Sequence, residues 1–389
     1  MKRINLLMSA AIIMASIFAS CEKDDDLVGT VDDDDTTSVV DTTADTTVTD
    51  TTIDDTVTEL KVKKVYIINE GNFQSSDGSI SYYDVENDTI YNGVYTAANN
   101  NVPLGDVVQS MHVKGDTGYI CVNNSGKVEV INLTDHSSIA QIEVANPRYF
   151  TKNGDYGYVT SQKWGAGQVK VIDLSANVII DSIVIGSSPE QLAVANGKLY
   201  VAKGASGEDS SVAVVDLGTH EVIKTINTGF DGATAVKVDS NGLVWVLAGG
   251  KTLYDENWAV TGISASAIVS IDPSTDMIQS TVNLFEGKTL SRMELVNGKV
   301  MYAEKGSGIY SFGIDATAAP STPLITEENY GFTVNPESGV IFVTKANSNL
   351  NGTVVRYTSE GTKLNEFEVG VFPNGGTSGK KNFKHRLQH

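Results

Sequence analysis

Residue types that carry catalysis are scattered through this 389-residue sequence rather than clustered. The five histidines show no metal-ligand spacing and form no Ser-His-Asp pattern; they are His112, His136, His220, His385 and His389. Adjacent carboxylates such as Glu327-Glu328 and Asp255-Glu256 have the chemistry of a glycosidase pair or of cation ligands, but in acidic loops they are usually just solvated. We therefore expect no catalytic residue, no metal site and no enzyme activity.

Aromatic and amide side chains offer a different chemistry, that of binding. Two of the three tryptophans fall in segments without a strand pattern, whereas Trp245 lies inside a strand-like run and is predicted to be core. Rings supply apolar area and stacking, and amides satisfy a polar edge, so the set suits a large flat ligand rich in amide or hydroxyl groups. The alternative, that the rings pack within loops and the asparagines form turns, stays open. The candidate ligand-binding residues are Asn72, Phe73, Asn124, Arg148, Tyr149, Trp164, Phe230, Tyr254, Trp258 and Tyr330.

A repeat of about 43 residues organises the chain from residue 65 onward. A strand-like run with a similar ending recurs at steps of 48, 41, 43, 56, 43 and 43 residues. The last residues of these runs are Asp84, Asn132, Asp173, Asp216, Asp272, Asp315 and the degenerate Thr358. Around each run the pattern predicts four short antiparallel strands, with Asn-Gly hairpin turns at Asn196, Asn241 and Asn297.

Four short strands per repeat are typical of a propeller blade, because one such sheet cannot bury both faces and must stack on its neighbours. Seven repeats predict an all-β fold, a seven-bladed β-propeller of four-stranded blades over residues 61–379. The first repeat begins at Val65 with no strand before it. We therefore expect its innermost strand to come from the C-terminus, near Phe372 to Ser378, which would remove the exposed sheet edge. Residues 380–389 are predicted to be a tail.

The first 60 residues are predicted to lie outside the propeller. Lys2 and Arg3 precede an apolar run too short to span a bilayer comfortably, which indicates a secretory signal over residues 1–20. Small residues before Cys21 resemble the lipobox of bacterial lipoproteins, so we expect this cysteine to be lipidated; an ordinary signal with an incidental cysteine is the alternative. Residues 22–60 hold fourteen acidic residues, one lysine and no aromatic, and with Cys21 are predicted to form a disordered tether.

Net charge and the second cysteine limit the function further. The chain carries −20; without the signal (+2) and residues 21–60 (−13), residues 61–389 carry −9. Since nucleic-acid binding needs a basic face, we expect no nucleic-acid partner. Cys121 lies in an apolar strand pattern and is predicted to be a small buried hydrophobe rather than a reactive thiol.

Several longer motifs point to a known family. They are Ile68 to Phe73, Ile80 to Asp84, Leu104 to Met111, Val122 to Ser125, Asn146 to Tyr149, Tyr330 to Pro336 and Phe367 to Gly370. With them, residues 64–375 resemble the YncE-like or surface-layer β-propellers of Bacteroidetes, and within that family the BtuG-like cobalamin-binding surface lipoproteins. The motifs are specific to the family and less specific to its cobalamin-binding members. Glu22 to Asp26, directly after Cys21, resembles the export signal of lipoproteins that face the cell exterior.

The resemblance implies non-catalytic capture of cobalamin or another corrinoid at the cell surface. Cobalamin would be cargo rather than cofactor, and the protein would pass it to a TonB-dependent outer-membrane transporter of the BtuB type. The lipid on Cys21 would be the only contact with the membrane, on the exterior side of the outer membrane. Two other functions remain open: an adhesion or protein-interaction propeller with no small-molecule ligand, and a propeller enzyme acting on polysaccharide.

Overall fold

Seven four-stranded antiparallel sheets are formed by residues 62–162, 166–186 and 188–380, the part of the chain that the structure, a computed structural model, describes. The predicted signal, Cys21, the tether, Trp164 and residues 381–389 lie outside these described residues. Each sheet runs in chain order from its innermost to its outermost strand, except that the first sheet takes its innermost strand from the C-terminal end. The predicted seven-bladed, all-β propeller is confirmed.

The strands of the first four blades are short, with three to eight residues each. Blade 1 contains β1 (Val62–Asn69), β2 (Ser79–Asp84) and β3 (Thr89–Tyr91), together with the last strand, β30 (Pro373–Lys380). Blade 2 contains β4 (Val108–Lys114), β5 (Thr117–Val122), β6 (Lys127–Asn132) and β7 (Ser138–Glu143). Blade 3 contains β8 (Pro147–Asn153), β9 (Tyr156–Ser161), β10 (Gln168–Asp173) and β11 (Val178–Val184). Blade 4 contains β12 (Leu192–Ala195), β13 (Lys198–Ala202), β14 (Ser211–Asp216) and β15 (Val222–Asn227).

The remaining blades follow the same order, and one of them carries an insertion. Blade 5 contains β16 (Ala233–Val238), β17 (Val244–Ala248), β20 (Ala267–Asp272) and β21 (Met277–Asn283), with the inserted hairpin β18 (Thr252–Tyr254) and β19 (Val260–Ile263). Blade 6 contains β22 (Leu290–Val296), β23 (Lys299–Glu304), β24 (Gly308–Gly313) and β25 (Ile325–Thr326). Blade 7 contains β26 (Gly331–Val334), β27 (Ile341–Asn347), β28 (Leu350–Tyr357) and β29 (Lys363–Val371).

One short helix, α1 (Val94–Ala98), interrupts the connection from blade 1 to blade 2. The sequence pattern did not predict it, because five residues are too few to display a helical period. Within the described residues, no helix combines the length and apolar character needed to cross a membrane.

In blades 1 to 5, the repeated residue at the end of the third strand caps the turn that follows. In blade 4, Asp216 Oδ1 accepts hydrogen bonds from the backbone N–H groups of Gly218 and Thr219, both at 2.9 Å. Four positions after the cap, His220 has a left-handed φ of 59° that reverses the chain. Such side-chain caps stop a strand by offering its backbone an alternative partner, which explains why this position repeats in the sequence. The same arrangement recurs in four other blades. The capping residue and the left-handed residue four positions later are Asp84 and Asp88, Asn132 and His136, Asp173 and Asn177, and Asp272 and Asp276.

The predicted Asn-Gly turns differ in width. At Asn196-Gly197 and Asn297-Gly298 both residues have positive φ, as a two-residue type I′ hairpin requires. The hairpin at Asn241 is wider than the motif predicts, because Asp239 Oδ1 accepts the backbone N–H groups of Asn241 and Leu243 at 2.8 and 3.0 Å. Asp239 Oδ2 accepts the indole N–H of Trp245 at 2.8 Å, and Trp245 is buried in the core, as predicted.

The two ends of the ring meet in blade 1, where β30 pairs antiparallel with β1. Tyr66 pairs with Thr377, and Gly376 lies so close to Tyr66 that a Cβ on this glycine would be 2.0 Å from the tyrosine carbonyl oxygen. Innermost strands of neighbouring blades contact each other around the circle, including β26 with β30 and β30 with β4. The predicted closure by the C-terminal strand is therefore confirmed.

Apolar side chains between adjacent blades form the core. Val65 and Tyr83 of blade 1 belong to one cluster with Phe342 of blade 7, and the Arg356 guanidinium lies 4.2 Å from the centroid of the Tyr83 ring. Cys121 is fully buried between blades 2 and 3, and burial raises the pKa of its thiol to about 12. The interpretation of Cys121 as a buried hydrophobe is confirmed.

His136 joins blades 1 and 2 and makes the fold sensitive to acid. Its Nε2 and the Tyr66 hydroxyl share a hydrogen bond of 3.2 Å, and its ring stacks on Tyr82 at 5.2 Å between centroids. Burial, reinforced by the positive charge of Lys64, lowers the pKa of His136 from 6.5 to about 4. Between these two pH values the unfolded chain binds more protons than the folded one, so the free energy of unfolding falls as pH falls.

We expect His136 alone to remove roughly 2 kcal/mol of stability between pH 6.5 and pH 4. Urea unfolding of the wild type and of His136→Gln at both pH values measures this. Because glutamine does not titrate, the variant should lose less stability on acidification than the wild type. Equal losses in the two proteins would contradict the assignment.

Candidate functional site

The connections that contain the sequence-predicted ligand-binding residues lie at one end of the propeller. Antiparallel topology brings the connections between second and third strands, and the connections into innermost strands, to the same end of every blade. We call this end the upper face. At its centre is a cavity of about 360 Å³, the mouth, to which all seven blades contribute. Its lining includes Gln109, Arg148, Gln191, Thr234, Arg292, Tyr330 and Asn374.

β-Bulges at the start of the innermost strands direct side chains into the mouth. The register between the first and second strands shifts between Val108 and Ser110 in blade 2, Pro147 and Phe150 in blade 3, Ala233 and Ala235 in blade 5, and Ser291 and Met293 in blade 6. A bulge leaves its extra residue outside the ladder and re-aims the side chain, as is common beside functional sites. The bulged residues are Gln109, Arg148, Tyr149, Thr234 and Arg292, and all five line the mouth.

A buried ion pair holds one side of the mouth. The Arg148 guanidinium donates to both carboxylate oxygens of Glu190, through Nη2 at 2.6 Å and Nε at 2.8 Å, and its Nη1 donates to Gln109 Oε1. Gln162 Nε2 also donates to Glu190, at 3.3 Å. Burial by itself lowers the pKa of Arg148, but the Glu190 carboxylate outweighs it and raises that pKa above its ordinary value. Arg148 is thus charged and fixed in orientation.

A second carboxylate organises a neighbouring part of the mouth with neutral donors. Glu70 accepts hydrogen bonds from the Tyr330 hydroxyl at 2.8 Å and from Asn374 Nδ2. Burial, followed by the charge of Glu70, raises the pKa of Tyr330, so this hydroxyl keeps its proton. Asn374 is only 1% exposed, and its Oδ1 has no hydrogen-bond partner. A ligand N–H or O–H would satisfy that buried acceptor.

Exposed aromatic rings lie in two of the outer connections of the upper face, which we call the rim. Phe73, in the connection from β1 to β2 of blade 1, is 67% exposed. In blade 5 the β18–β19 hairpin presents Tyr254 and Trp258, which are 53% and 81% exposed and have ring centroids 6.0 Å apart. Blades 1 and 5 lie on opposite sides of a seven-membered ring. The arrangement is therefore a polar, preorganised basin with apolar rings across its rim.

The sequence comparison agrees with the fold. A family model described as a domain of unknown function (DUF5074) matches residues 63–369, nearly the whole propeller. The chain belongs to this family. No protein of curated function matches the sequence.

Several solved structures are similar to the chain at low sequence identity. Kuenenia stuttgartiensis hydrazine synthase has a TM-score of 0.58 at 14% identity, covering 77% of this chain and 98% of its own. The WD40 β-propeller domain of Doa1 has a TM-score of 0.53 at 12% identity, covering 80% and 92%. The computationally designed Ika8 protein has a TM-score of 0.51 at 13% identity, covering 84% and 92%. At these identities the similarity shows the fold alone.

The structure brings together part of the predicted ligand-binding set in this family member. Arg148, Tyr149 and Tyr330 line the mouth, while Phe73 belongs to the rim. Tyr254 and Trp258 also belong to the rim, on the inserted hairpin.

The other predicted residues have different surroundings. Asn72 Nδ2 donates to Asp77 Oδ2 at 2.8 Å, and Asn124 Nδ2 donates to Asp106 Oδ2, so both amides already have partners. Phe230 is half-buried in the connection into β16. Trp164 lies outside the described residues.

Sequence reasoning missed several residues that line the mouth. They are Gln109, Glu190, Gln191, Thr234, Arg292 and Asn374. Each lies in or beside an innermost strand, where the period-2 pattern predicts ordinary strand geometry and gives no sign of a bulge. Superposing the seven repeats on one another would have found them, because the first polar residues of each first strand occupy equivalent places.

Proposed function

We propose that this protein captures cobalamin or another corrinoid on the upper face, without chemistry, for delivery to a TonB-dependent outer-membrane transporter of the BtuB type. The observation that carries the proposal is the pairing of exposed rings on opposite sides of a polar basin. The resemblance of Ile68 to Phe73 and the other family motifs supports it. In the proposal, lipid on Cys21 holds the protein on the exterior side of the outer membrane, which palmitate labelling tests.

The upper face fits a broad, flat ligand with a polar fringe. A corrin ring is large and planar and carries amide side chains around its edge. Phe73 and Trp258 offer apolar surface on either side, and the mouth between them offers donors and acceptors at its centre. The unpartnered Asn374 Oδ1 is an acceptor suited to an amide N–H of such a ligand.

The polar groups of the mouth are arranged for binding rather than for proton transfer. Glu190 is held by Arg148 and Gln162, and Glu70 is held by Tyr330 and Asn374. Both carboxylates are already engaged by hydrogen-bond donors of the protein, so neither is free to exchange a proton with a ligand. Capture without catalysis therefore accounts for the mouth better than hydrolysis of a polysaccharide.

A visible spectrum tests the proposal directly. The purified protein is mixed with a slight excess of cobalamin and desalted, and the protein fraction is examined for corrin absorption. We expect corrin absorption in the desalted protein fraction. A protein fraction without corrin absorption would remove this function and favour the protein-interaction role instead, with the exposed β18–β19 hairpin as its contact surface.

We expect Trp258→Ala and Phe73→Ala each to weaken cobalamin binding by about 10-fold, because each removes an exposed ring from the rim. Fluorescence or calorimetric titration measures the change. Tyr156→Ala is the matched control, since Tyr156 is an exposed ring at the start of β9, on the opposite end of the propeller. Equal losses in all three variants would argue against binding at the upper face.

A further inference from the structure

A second cavity continues below the mouth along the axis of the propeller. This channel has a volume of about 380 Å³ and is lined by residues further along the innermost strands. Tyr149, Gln191 and Arg292 line both the mouth and the channel, so the two spaces meet at these side chains.

Positive charge dominates the channel although the chain as a whole carries −20. Its lining contains Lys152, Lys237 and Arg292 against a single carboxylate, Glu294. Glu294 is already paired with Lys237, at 3.0 Å between Oε2 and Nζ. The lining therefore offers no unpaired carboxylate to its other two cations, Arg292 and Lys152.

Arg292 and Lys152 form no ion pair with any residue in the described part of the chain. Arg292 Nη1 instead lies 3.5 Å from the hydroxyl oxygen of Tyr149. Both side chains are half-buried, so water solvates them less well than it solvates surface lysines. An anion in the channel would replace the missing counter-charge.

The backbone conformation of Arg292 is strained. Arg292 has φ of 52°, in the left-handed region, and it is the bulged residue of β22. Such a conformation is unfavourable for a non-glycine residue and persists mainly where the surrounding structure imposes it. The result is a guanidinium brought to the junction of mouth and channel.

We propose that the channel binds a phosphate-class oxyanion between Arg292 and Lys152. The guanidinium supplies paired N–H donors that match two oxygens, and the ammonium supplies a compact charge on the other side. Gln191 accepts the backbone N–H of Val236 through Oε1 at 3.3 Å, which leaves its amide NH₂ as a neutral donor. Low-dielectric walls strengthen the attraction for an anion inside the channel. This site does not depend on corrinoid capture.

Calorimetric titration with inorganic phosphate tests the site in the purified protein. We expect binding by the wild type and at least a 10-fold loss in both Lys152→Gln and Arg292→Gln. Lys299→Gln is the matched control, because Lys299 is exposed in blade 6 and lies outside the channel. If Arg292→Gln does not fold, the phosphate titration of Lys152→Gln alone tests the site. Absence of phosphate binding by the wild type, or unchanged binding by Lys152→Gln, overturns the proposal.

His112 provides an independent reporter inside the channel. Burial, followed by the charges of nearby lysines, lowers its pKa to about 4. The groups that face it are Lys114 on β4, Tyr119 on β5, Phe150 and Lys152 on β8 and Lys237 on β16. Because a bound anion favours the charged imidazolium, saturating phosphate should raise the pKa of His112 by about 1 in an NMR titration. An unchanged His112 titration at saturating phosphate overturns the proposed position.

The source of the anion is distinguished by a second probe. Adenosine 5′-monophosphate carries the same phosphate group on a larger body that would extend into the mouth. Tighter binding of this nucleotide than of inorganic phosphate assigns the site to the phosphate group of a larger ligand. Tighter binding of inorganic phosphate assigns the site to a free anion. In either case, weaker binding of the probe by Lys152→Gln supports the site.

Discussion

Ending the chain at Phe372 is expected to abolish cooperative folding of the propeller. The truncation removes β30, which supplies the innermost strand of blade 1 and contacts the innermost strands β26 and β4 on either side. β1 would then expose an unpaired edge, and the ring would open between blades 7 and 1. We expect insoluble protein, or a broad thermal transition in place of a single cooperative one, measured by calorimetry and circular dichroism.

A single substitution tests the same closure without shortening the chain. Gly376→Ala places a Cβ 2.0 Å from the Tyr66 carbonyl oxygen, so β30 must move away from β1. We expect a loss of about 2–3 kcal/mol in the free energy of unfolding. Gly313→Ala is the matched control, because Gly313 also lies in a strand but has open space around the added Cβ. Similar stability of the two variants would show that closure contributes little.

The second large effect is expected from Glu190→Ala, which leaves the Arg148 charge without its partner. The side chains of Arg148 and Glu190 are 21% and 10% exposed, and their closest atoms are 2.6 Å apart. Removing one member of such a buried pair uncovers an uncompensated charge, so we expect destabilisation of about 3 kcal/mol. Urea unfolding of wild type and variant at neutral pH measures it.

An exposed pair provides the comparison. Lys363 and Glu366 are 2.8 Å apart, but their side chains are 52% and 56% exposed. Because solvent screens such a pair, Glu366→Ala should leave the free energy of unfolding almost unchanged. A loss in Glu190→Ala no larger than in Glu366→Ala would mean that water reaches the base of the mouth and solvates Arg148.

Much of the architecture was predictable because each repeated residue has a local physical cause. Asp216 and its equivalents end strands by capping turns, so the blade number can be counted from their spacing. The missing strand before Val65 predicted closure from the C-terminus, since an open sheet edge is unfavourable. The five-residue helix α1 is too short to display a helical period, and the loop at Asn241 is wider than its Asn-Gly motif predicts because of the Asp239 side chain two residues earlier.

The binding surface was only partly predictable. Loop position identified Phe73 and Trp258, because the alternation of strand direction decides which end of the propeller a loop occupies. The base of the mouth depends on bulges, and a bulge changes which way Arg292 points without changing the residue pattern of its strand. Burial of Asn374 depends on Glu70, about 300 residues away in sequence, and no local pattern reports that contact.

Pairing of the first described strand with the last has a consequence for biosynthesis. β1 emerges from the ribosome about 300 residues before its partner β30. At ordinary elongation rates of 5–20 residues per second, that interval lasts roughly 15–60 seconds. Throughout it, the nascent chain carries a strand edge that could pair with another molecule, so the yield of native protein should depend on how well this edge is shielded until translation is complete.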